Sequence, residues 1–424
     1  MNKILLKAPL LTQSGYGHHS RTVLRALRTR EDIFDIYVQP ITWGQTSWLC
    51  EINEEREWID DNIKKTVEYI NSGGTFDVSL QVTIPNEWEK LAPINIGITA
   101  GIETTKVSPQ WVEKSYIMDK IITISKHSRD TYADAVYEGT NSQTGERVTI
   151  KCPSLIDYVS YPVFKYEPKK VELDLETDFN FLSVVQLSPR KNINGLLKNF
   201  VETFKDNENV GLIVKANIAK NSLIDRNNTL RNFKNLVSSY GERKCKIYLL
   251  HGRLTDEEMA GIYTNPKVKA FVSVTHGEGF GLPIFEASYY GLPIMATDWS
   301  GHIDFLYKPV KQKNGKIKSK HMFERVSYTL GPVQEEAVWD GVLQKDSMWA
   351  YPEDGSIKMC LDEMYKDHGR FKKRAKELQK WVLEEFDTEK QLAKYVESIT
   401  SAIPGGGAPE DWLSEIEDLV KEYE

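Results

Sequence analysis

One rhythm, run through twice, constrains this chain more than any other feature. Short runs rich in β-branched or apolar residues, KILLKAP (3–9), FDVSLQV (76–82), INIGITA (94–100) and KIITIS (120–125), alternate with stretches of helical spacing such as SRTVLRALRTR (20–30) and EWIDDNIKKTVEYI (57–70). A strand that leads into a helix returns to the sheet parallel to its predecessor, so the pattern predicts a parallel sheet covered on both faces. The rhythm pauses in a polar, proline-containing stretch, YPVFKYEPKKVELDLETD (161–178), and then restarts. FLSVVQL (181–187), NINGLLKNFVETF (192–204), GLIVKA (211–216), a helix near 226–239, KIYLLHG (246–252), a helix near 255–263 and VKAFVSV (268–274) follow in turn. The expected fold class is α/β, with two doubly wound, Rossmann-like domains at 1–165 and 175–385. At 424 residues the chain exceeds the size at which one core stops growing, which agrees with two domains. The remainder, 386–424, reads as C-terminal helices. The first is expected to pack back on the N-terminal domain, and the last, EDWLSEIEDLVKEYE, is set apart by PGGGAP (404–409).

Composition narrows the function classes. A net charge of −7 makes the molecule as a whole a poor binder of polyanions, so a nucleic-acid contact would need a local basic patch. The four cysteines are scattered with no C-x-x-C pair, which fits reduced thiols and neither a disulfide frame nor a zinc site. The N-terminal apolar stretch is interrupted by Lys7 and Pro9, unlike a signal peptide. No apolar run reaches the roughly 18 residues of a membrane span. The expected location is the cytoplasm.

The chemistry concentrates in THGEGFGLPIFEASYYGLP (275–293). In an open α/β sheet, ligands bind beyond the carboxyl ends of strands, where loops enter helices. Gly277, Gly279 and Gly281 allow backbone amides close to a ligand, and Pro283 suits the first turn of a helix whose start attracts phosphate. Glu278 and Glu286 repel phosphate but accept hydrogen bonds from hydroxyls. A diphosphate flanked by hydroxylated sugars, a nucleotide-sugar, satisfies both halves of the pattern. A tight strand–helix connection with two solvated glutamates is the plain alternative.

The whole segment, with its continuation GLPIMATDWSGHIDFL (291–306), resembles the E-x7-E signature of retaining glycosyltransferases of family 4, including phage-type members. The resemblance implies the GT-B architecture of two facing Rossmann-like domains, the first on the acceptor side and the second binding the donor. It gives Glu278 the donor sugar's hydroxyls near the reacting carbon and Glu286 the ribose hydroxyls. It adds donor contacts at Gly279, Phe280, Gly281, Leu282, Arg253 and Leu254. In VVQLSPRKNINGLL (184–197), Lys191 matches the family lysine that binds diphosphate, whereas the family arginine falls at Gln186, so Arg190 becomes the candidate second cation. Both also read as the start of an exposed helix.

In the first domain, LLTQSGYGHHSRTVLRAL (10–27) is similar to the family's N-terminal glycine loop and puts Gly15 and Gly17 beside the donor; a simple tight turn is the competing reading. His18 and His19 read as surface residues of the helix entry. The family's His-Asp pair is missing, and Glu103 in TAGIETTKVSPQWV (99–112) is the candidate cleft residue or else a turn residue. Ser125 and Ser128 are candidate helix caps. No D-x-D element is placed for a metal, so no metal ligands are assigned and no cofactor is expected beyond the donor as co-substrate, UDP-sugar first and GDP-sugar second.

The implied function is hexosyl or pentosyl transfer to a hydroxyl on a glycan, a lipid-linked sugar or a hydroxymethylated base in DNA. A nucleotide-sugar epimerase or a non-catalytic sugar-nucleotide binder are the alternatives. The DNA option rests on YKPVKQKNGKIKSKH (307–321), a predicted hairpin around an N-G turn. Its Lys311, Lys313, Lys316, Lys318 and Lys320 form either a phosphate-tracking arm or a solubilising edge, with Lys316, Lys318 and Lys320 expected on one face.

Overall fold

The computed structural model describes residues 1–140 and 144–404. The expected acidic helix at 410–424 lies outside the described residues.

The first lobe is built on β1 (Asn2–Ala8), β2 (Phe34–Pro40), β3 (Val78–Val82), β4 (Ile94–Ile98) and β5 (Lys120–Thr123), with α1 (Gly15–Arg28), α2 (Glu54–Asn71), α3 (Pro109–Ser115) and α4 (Lys126–Ala133) between them. A hairpin of β6 (Val136–Thr140) and β7 (Arg147–Lys151) precedes the last strand, β8 (Leu155–Tyr158). All six sheet strands run parallel, in the order β2-β1-β3-β4-β5-β8. Strands β1 and β3 are buried along most of their length, as expected for a sheet covered on both faces. Strand β2 escapes the sequence pattern because FDIYVQP mixes polar with apolar positions, and it lies on the sheet edge.

After an extended stretch, the second lobe repeats the scheme. Its elements are β9 (Phe179–Gln186), α5 (Ile193–Phe204), β10 (Val210–Asn217), α6 (Leu223–Ser238), β11 (Lys246–Leu250), α7 (Asp256–Tyr263), β12 (Val268–Ser273), α8 (Leu282–Tyr289), β13 (Ile294–Thr297) and α9 (Ile303–Leu306). Two antiparallel pairs decorate it: β14 (Tyr307–Lys311) with β15 (Ile317–His321), and β17 (Tyr328–Pro332) with β18 (Met348–Pro352), on either side of β16 (Glu324–Val326). The parallel order is β11-β10-β9-β12-β13-β16.

That order decides where a ligand sits. The crossover from β9 runs outward to β10 on one side, while β12 flanks β9 on the other. The loops leaving β9 and β12 therefore diverge and open a crevice between them, the topological switch point of the sheet. In the first lobe the same reversal falls between β1 and β3.

The chain closes with α10 (Asp354–Lys366), α11 (His368–Glu385) and α12 (Thr388–Thr400). Helix α11 stays with the second lobe, where Leu378, Trp381 and Val382 join its core. Helix α12 crosses to the first: Leu392, Tyr395, Val396 and Ile399 pack with Val23, Leu24 and Leu27 of α1. His19 was expected at the surface, yet it is fully buried, its Nε2 3.0 Å from the Tyr395 hydroxyl, which in turn donates to the Val159 carbonyl at 3.0 Å. The reason is α12, which covers the face of α1 that would otherwise meet solvent. No helix among the described residues is long and apolar enough to cross a membrane.

Candidate active site

The two lobes enclose a cleft of about 1190 Å³. Its floor is the second lobe's switch point. The loop after β9 carries Arg190 and Lys191 on a single 3-10 turn (Pro189–Lys191), closed by Asn192 in the left-handed region at φ 49°. The Asn192 side chain donates to the Val274 carbonyl (3.0 Å), and the amide of His276 donates to the Arg190 carbonyl (2.8 Å), so this turn is stitched to the loop leaving β12.

Glu278 stands on that second loop and meets both cations. Lys191 Nζ lies 2.5 Å from Oε1, and Arg190 Nη1 lies 3.0 Å from Oε2 and 2.6 Å from the Gly277 carbonyl. Arg190 also reaches Glu103 of the first lobe at 3.5 Å. Burial by itself would raise the Glu278 carboxyl, but Lys191 and Arg190 outweigh it and hold the group at about 2. Burial lowers Arg190, and the carboxylates of Glu278 and Glu103 more than compensate, whereas Lys191 ends below its ordinary value because Glu278 only partly offsets burial. The result is a largely buried cluster of two cations and two carboxylates. An incoming diphosphate would have to share Arg190 and Lys191 with Glu278.

The three glycines also answer to packing and to backbone conformation. A Cβ on Gly277 would stand 2.2 Å from the Glu103 carbonyl oxygen, and one on Gly279 would stand 2.1 Å from that of Ala100. The first lobe's loop after β4 thus presses directly on these two residues, and their bareness serves closure of the lobes. Gly281 is required by its own backbone, at φ 89°.

Helix α8 begins with Pro283 in its first turn, as its sequence predicts. The amides of Ile284 and Phe285 are already spent on the Gly281 carbonyl. The amides that remain free for an anion sit one step earlier. Among the described residues, those of Gly279, Phe280, Gly281 and Leu282 have no protein acceptor, and all four residues line the cleft. Glu286 lies one turn into α8 and accepts from the Tyr263 hydroxyl at 2.7 Å. Burial raises its carboxyl to about 7, against the opposing pull of that hydrogen bond.

Other candidate residues divide between cleft and scaffold. Gly15, Glu103, Arg253 and Leu254 line the cleft, and Arg253 pairs with Glu51 of the first lobe at 2.9 Å. Gly17 lies within α1, where a Cβ would stand 2.1 Å from the Thr12 carbonyl oxygen, so its bareness serves the packing of α1 on the preceding loop. Gln186 tethers the Ile218 carbonyl at 2.9 Å. His18, expected at the surface, forms part of the cleft wall beside Tyr161, and burial together with Arg21 and Arg25 pulls its pKa to about 3. Ser125 caps α4 by accepting from the Ser128 amide (3.1 Å), so Ser128 is capped and does not itself cap the helix.

The lysine hairpin forms as predicted, with Lys308 opposite Lys320 and Val310 opposite Lys318. Lys308, Lys318 and Lys320 therefore share a face, while Lys313 and Lys316 lie in the turn between the strands. Lys320 pairs with Glu377 on α11 at 3.0 Å, and none of the hairpin lysines lines the cleft.

Several cleft residues carry no signal in the sequence. Tyr16 and Trp43 meet with ring centroids 4.0 Å apart, and Lys215 lies near the end of β10, while Tyr263, buried behind the cleft, holds Glu286. Each looks like ordinary core or surface until the lobes face each other. Among the described residues, no group of three or more His, Cys, Asp or Glu is arranged to hold a metal ion.

Residues 165–315 match the family model described as Glycosyl transferases group 1, a span that contains Arg190, Lys191, Glu278 and Glu286. No curated protein sequence matches the chain. Among solved structures, HepE of Anabaena, in complex with UDP and glucose, is 13% identical with a TM-score of 0.58, covering 95% of this chain and 100% of that one. Sucrose-phosphate synthase of Thermosynechococcus elongatus is 12% identical with a TM-score of 0.57, covering 93% and 97%. The apo structure of OtsA is 10% identical with a TM-score of 0.59, covering 95% and 99%. The likeness establishes the fold: two facing Rossmann-like lobes in the GT-B arrangement.

Proposed function

We propose that this chain is a glycosyltransferase that moves a sugar from a nucleotide-diphosphate sugar, UDP-sugar in the first instance, to a hydroxyl acceptor with retention of configuration. One observation carries the reading. Arg190 and Lys191 converge on Glu278 at the switch point of the second lobe, next to four amides that lack acceptors. The family match over the same segment and the UDP and glucose held by HepE support it.

The residues divide the work by charge. The diphosphate lies against Arg190, Lys191 and the amides of 279–282, where positive groups stabilise charge as it develops on the leaving group. Glu286 takes the ribose hydroxyls, and Glu278 takes hydroxyls of the transferred sugar. The bond from the sugar's anomeric carbon to the β-phosphate oxygen breaks as the acceptor oxygen bonds to that carbon from the same face. The acceptor's proton passes to the departing phosphate oxygen, so no protein nucleophile is consumed.

Calorimetric titration with UDP and with GDP tests the first requirement. Saturable binding of one of them is expected, and its weakening in Lys191→Ala locates the diphosphate. No binding of either nucleotide would end this reading.

A further inference from the structure

The segment from β17 to β18 is a strap that the sequence pattern does not announce. It leaves the second lobe, crosses the mouth of the cleft and docks on the first. The Thr105 amide donates to the Met348 carbonyl (2.9 Å), the Met348 amide donates to Thr105 Oγ1 (3.0 Å), and Lys106 pairs with Asp346 at 2.7 Å. The Asn86 side chain donates to the Gly341 carbonyl (3.1 Å), and Val342 packs against the first-lobe cluster of Trp88 and Trp111. At its root, Trp349 is fully buried and stacks on His276 at 4.9 Å.

So anchored, the strap puts a short 3-10 turn (Glu335–Ala337) against the turn that carries Arg190 and Lys191. Beyond it, Trp339 is held in a tight loop by paired amide–carbonyl bonds with Leu343, and it remains 55% exposed on the cleft wall. An exposed indole carried on a pinned loop in the cleft wall is a platform for a flat or ring-shaped ligand.

Charge tells which ring. Residues 327–352 contain four acids, Glu335, Glu336, Asp340 and Asp346, against one lysine, Lys345. Glu336 lines the cleft beside Trp339. A nucleic-acid backbone approaching the strap would meet its carboxylates; Arg190 and Lys191, against which the strap's 3-10 turn packs, are taken by the diphosphate in the donor reading, and the β14–β15 lysines lie outside the cleft. A neutral ring bearing many hydroxyls meets no such penalty. Its C–H face covers the indole and its hydroxyls donate to Glu336.

Resting on the donor reading above, we propose that the strap forms the acceptor subsite and that the acceptor is the sugar ring of a glycoside, stacked on Trp339 with Glu336 accepting its hydroxyls. One of those hydroxyls attacks the anomeric carbon and passes its proton to the leaving diphosphate.

The test uses the full chain with UDP-glucose and GDP-mannose as donors. The acceptors are p-nitrophenyl glycosides of glucose, galactose, mannose and N-acetylglucosamine, together with a duplex carrying hydroxymethylcytosine, and products are read by mass spectrometry. Transfer to at least one glycoside is expected. Trp339→Ala should raise the acceptor KM about tenfold or more, and Trp339→Phe, which keeps a ring, should stay within about threefold of wild type. An unchanged acceptor KM in Trp339→Ala overturns the proposal. So does transfer to the duplex without transfer to glycosides, or no transfer to any glycoside by a protein that binds UDP or GDP. Failure to bind either nucleotide is the separate result that removes the donor reading and this one with it.

Discussion

Lys191 Nζ and Glu278 Oε1 lie 2.5 Å apart although 87 positions separate them in the chain. The pair exists because β9 and β12 are neighbours in the sheet, so the loops leaving them share one crevice. Within the cleft the carboxylate holds the cations that a diphosphate would need.

That competition separates binding from turnover. Glu278→Gln keeps the shape of the side chain and removes its charge, releasing Arg190 and Lys191. UDP should bind at least as tightly as to wild type by calorimetry, while transfer falls on the order of 10³-fold. Lys191→Ala should do the reverse to binding and weaken UDP about 10- to 100-fold, as loss of a charge-assisted contact implies. Equal UDP affinity in all three proteins would place the diphosphate elsewhere.

Glu286 predicts a pH dependence. Its carboxyl is raised to about 7, so it is largely protonated below that pH and ionised above it. A carboxylate accepts two ribose hydroxyls better than a carboxylic acid does, so UDP affinity should rise between about pH 6 and pH 8 and flatten in Glu286→Gln. For the unliganded protein the sign is opposite. A carboxyl whose pKa is higher folded than unfolded opposes folding once pH exceeds the unfolded value, and the penalty grows until the folded pKa is passed. Melting temperatures of wild type relative to Glu286→Gln should therefore drop from about pH 4.5 to about pH 7 and then level off.

The glycine loop predicts a defect of closure. In Gly279→Ala the new methyl would overlap the Ala100 carbonyl, which belongs to the other lobe. The lobes should part, seen as a larger radius of gyration by X-ray scattering, and transfer should drop about 100-fold through misplacement of the reacting groups. An unchanged scattering curve with full activity would show that the contact between Gly279 and Ala100 is dispensable.

Tyr395 tests the crossover of α12. Its hydroxyl joins His19 to the Val159 carbonyl inside the first lobe. Tyr395→Phe leaves both partners buried without it and should cost about 1–3 kcal/mol in denaturant unfolding, with little change in the denaturant slope. A smaller loss would mean that the apolar contacts of Leu392, Val396 and Ile399 hold α12 unaided.

Local chemistry was readable in the residue order. The alternation of strand and helix announced two parallel sheets, because period and length are properties of neighbouring residues. Pro283 marked the start of α8, and the eight-residue interval between Glu278 and Glu286 put one on a loop and the other in a helix. The partners of those residues were a different matter. Arg190 meets Glu103 and Glu278, Gly277 and Gly279 yield to carbonyls of the opposite lobe, His19 is roofed by α12, and Trp339 is carried across the cleft on a strap. Each of these joins segments far apart in sequence, and neither periodicity nor propensity reaches that far. They depend on strand order and on how two lobes meet, which are settled only when the whole chain buries its apolar faces together.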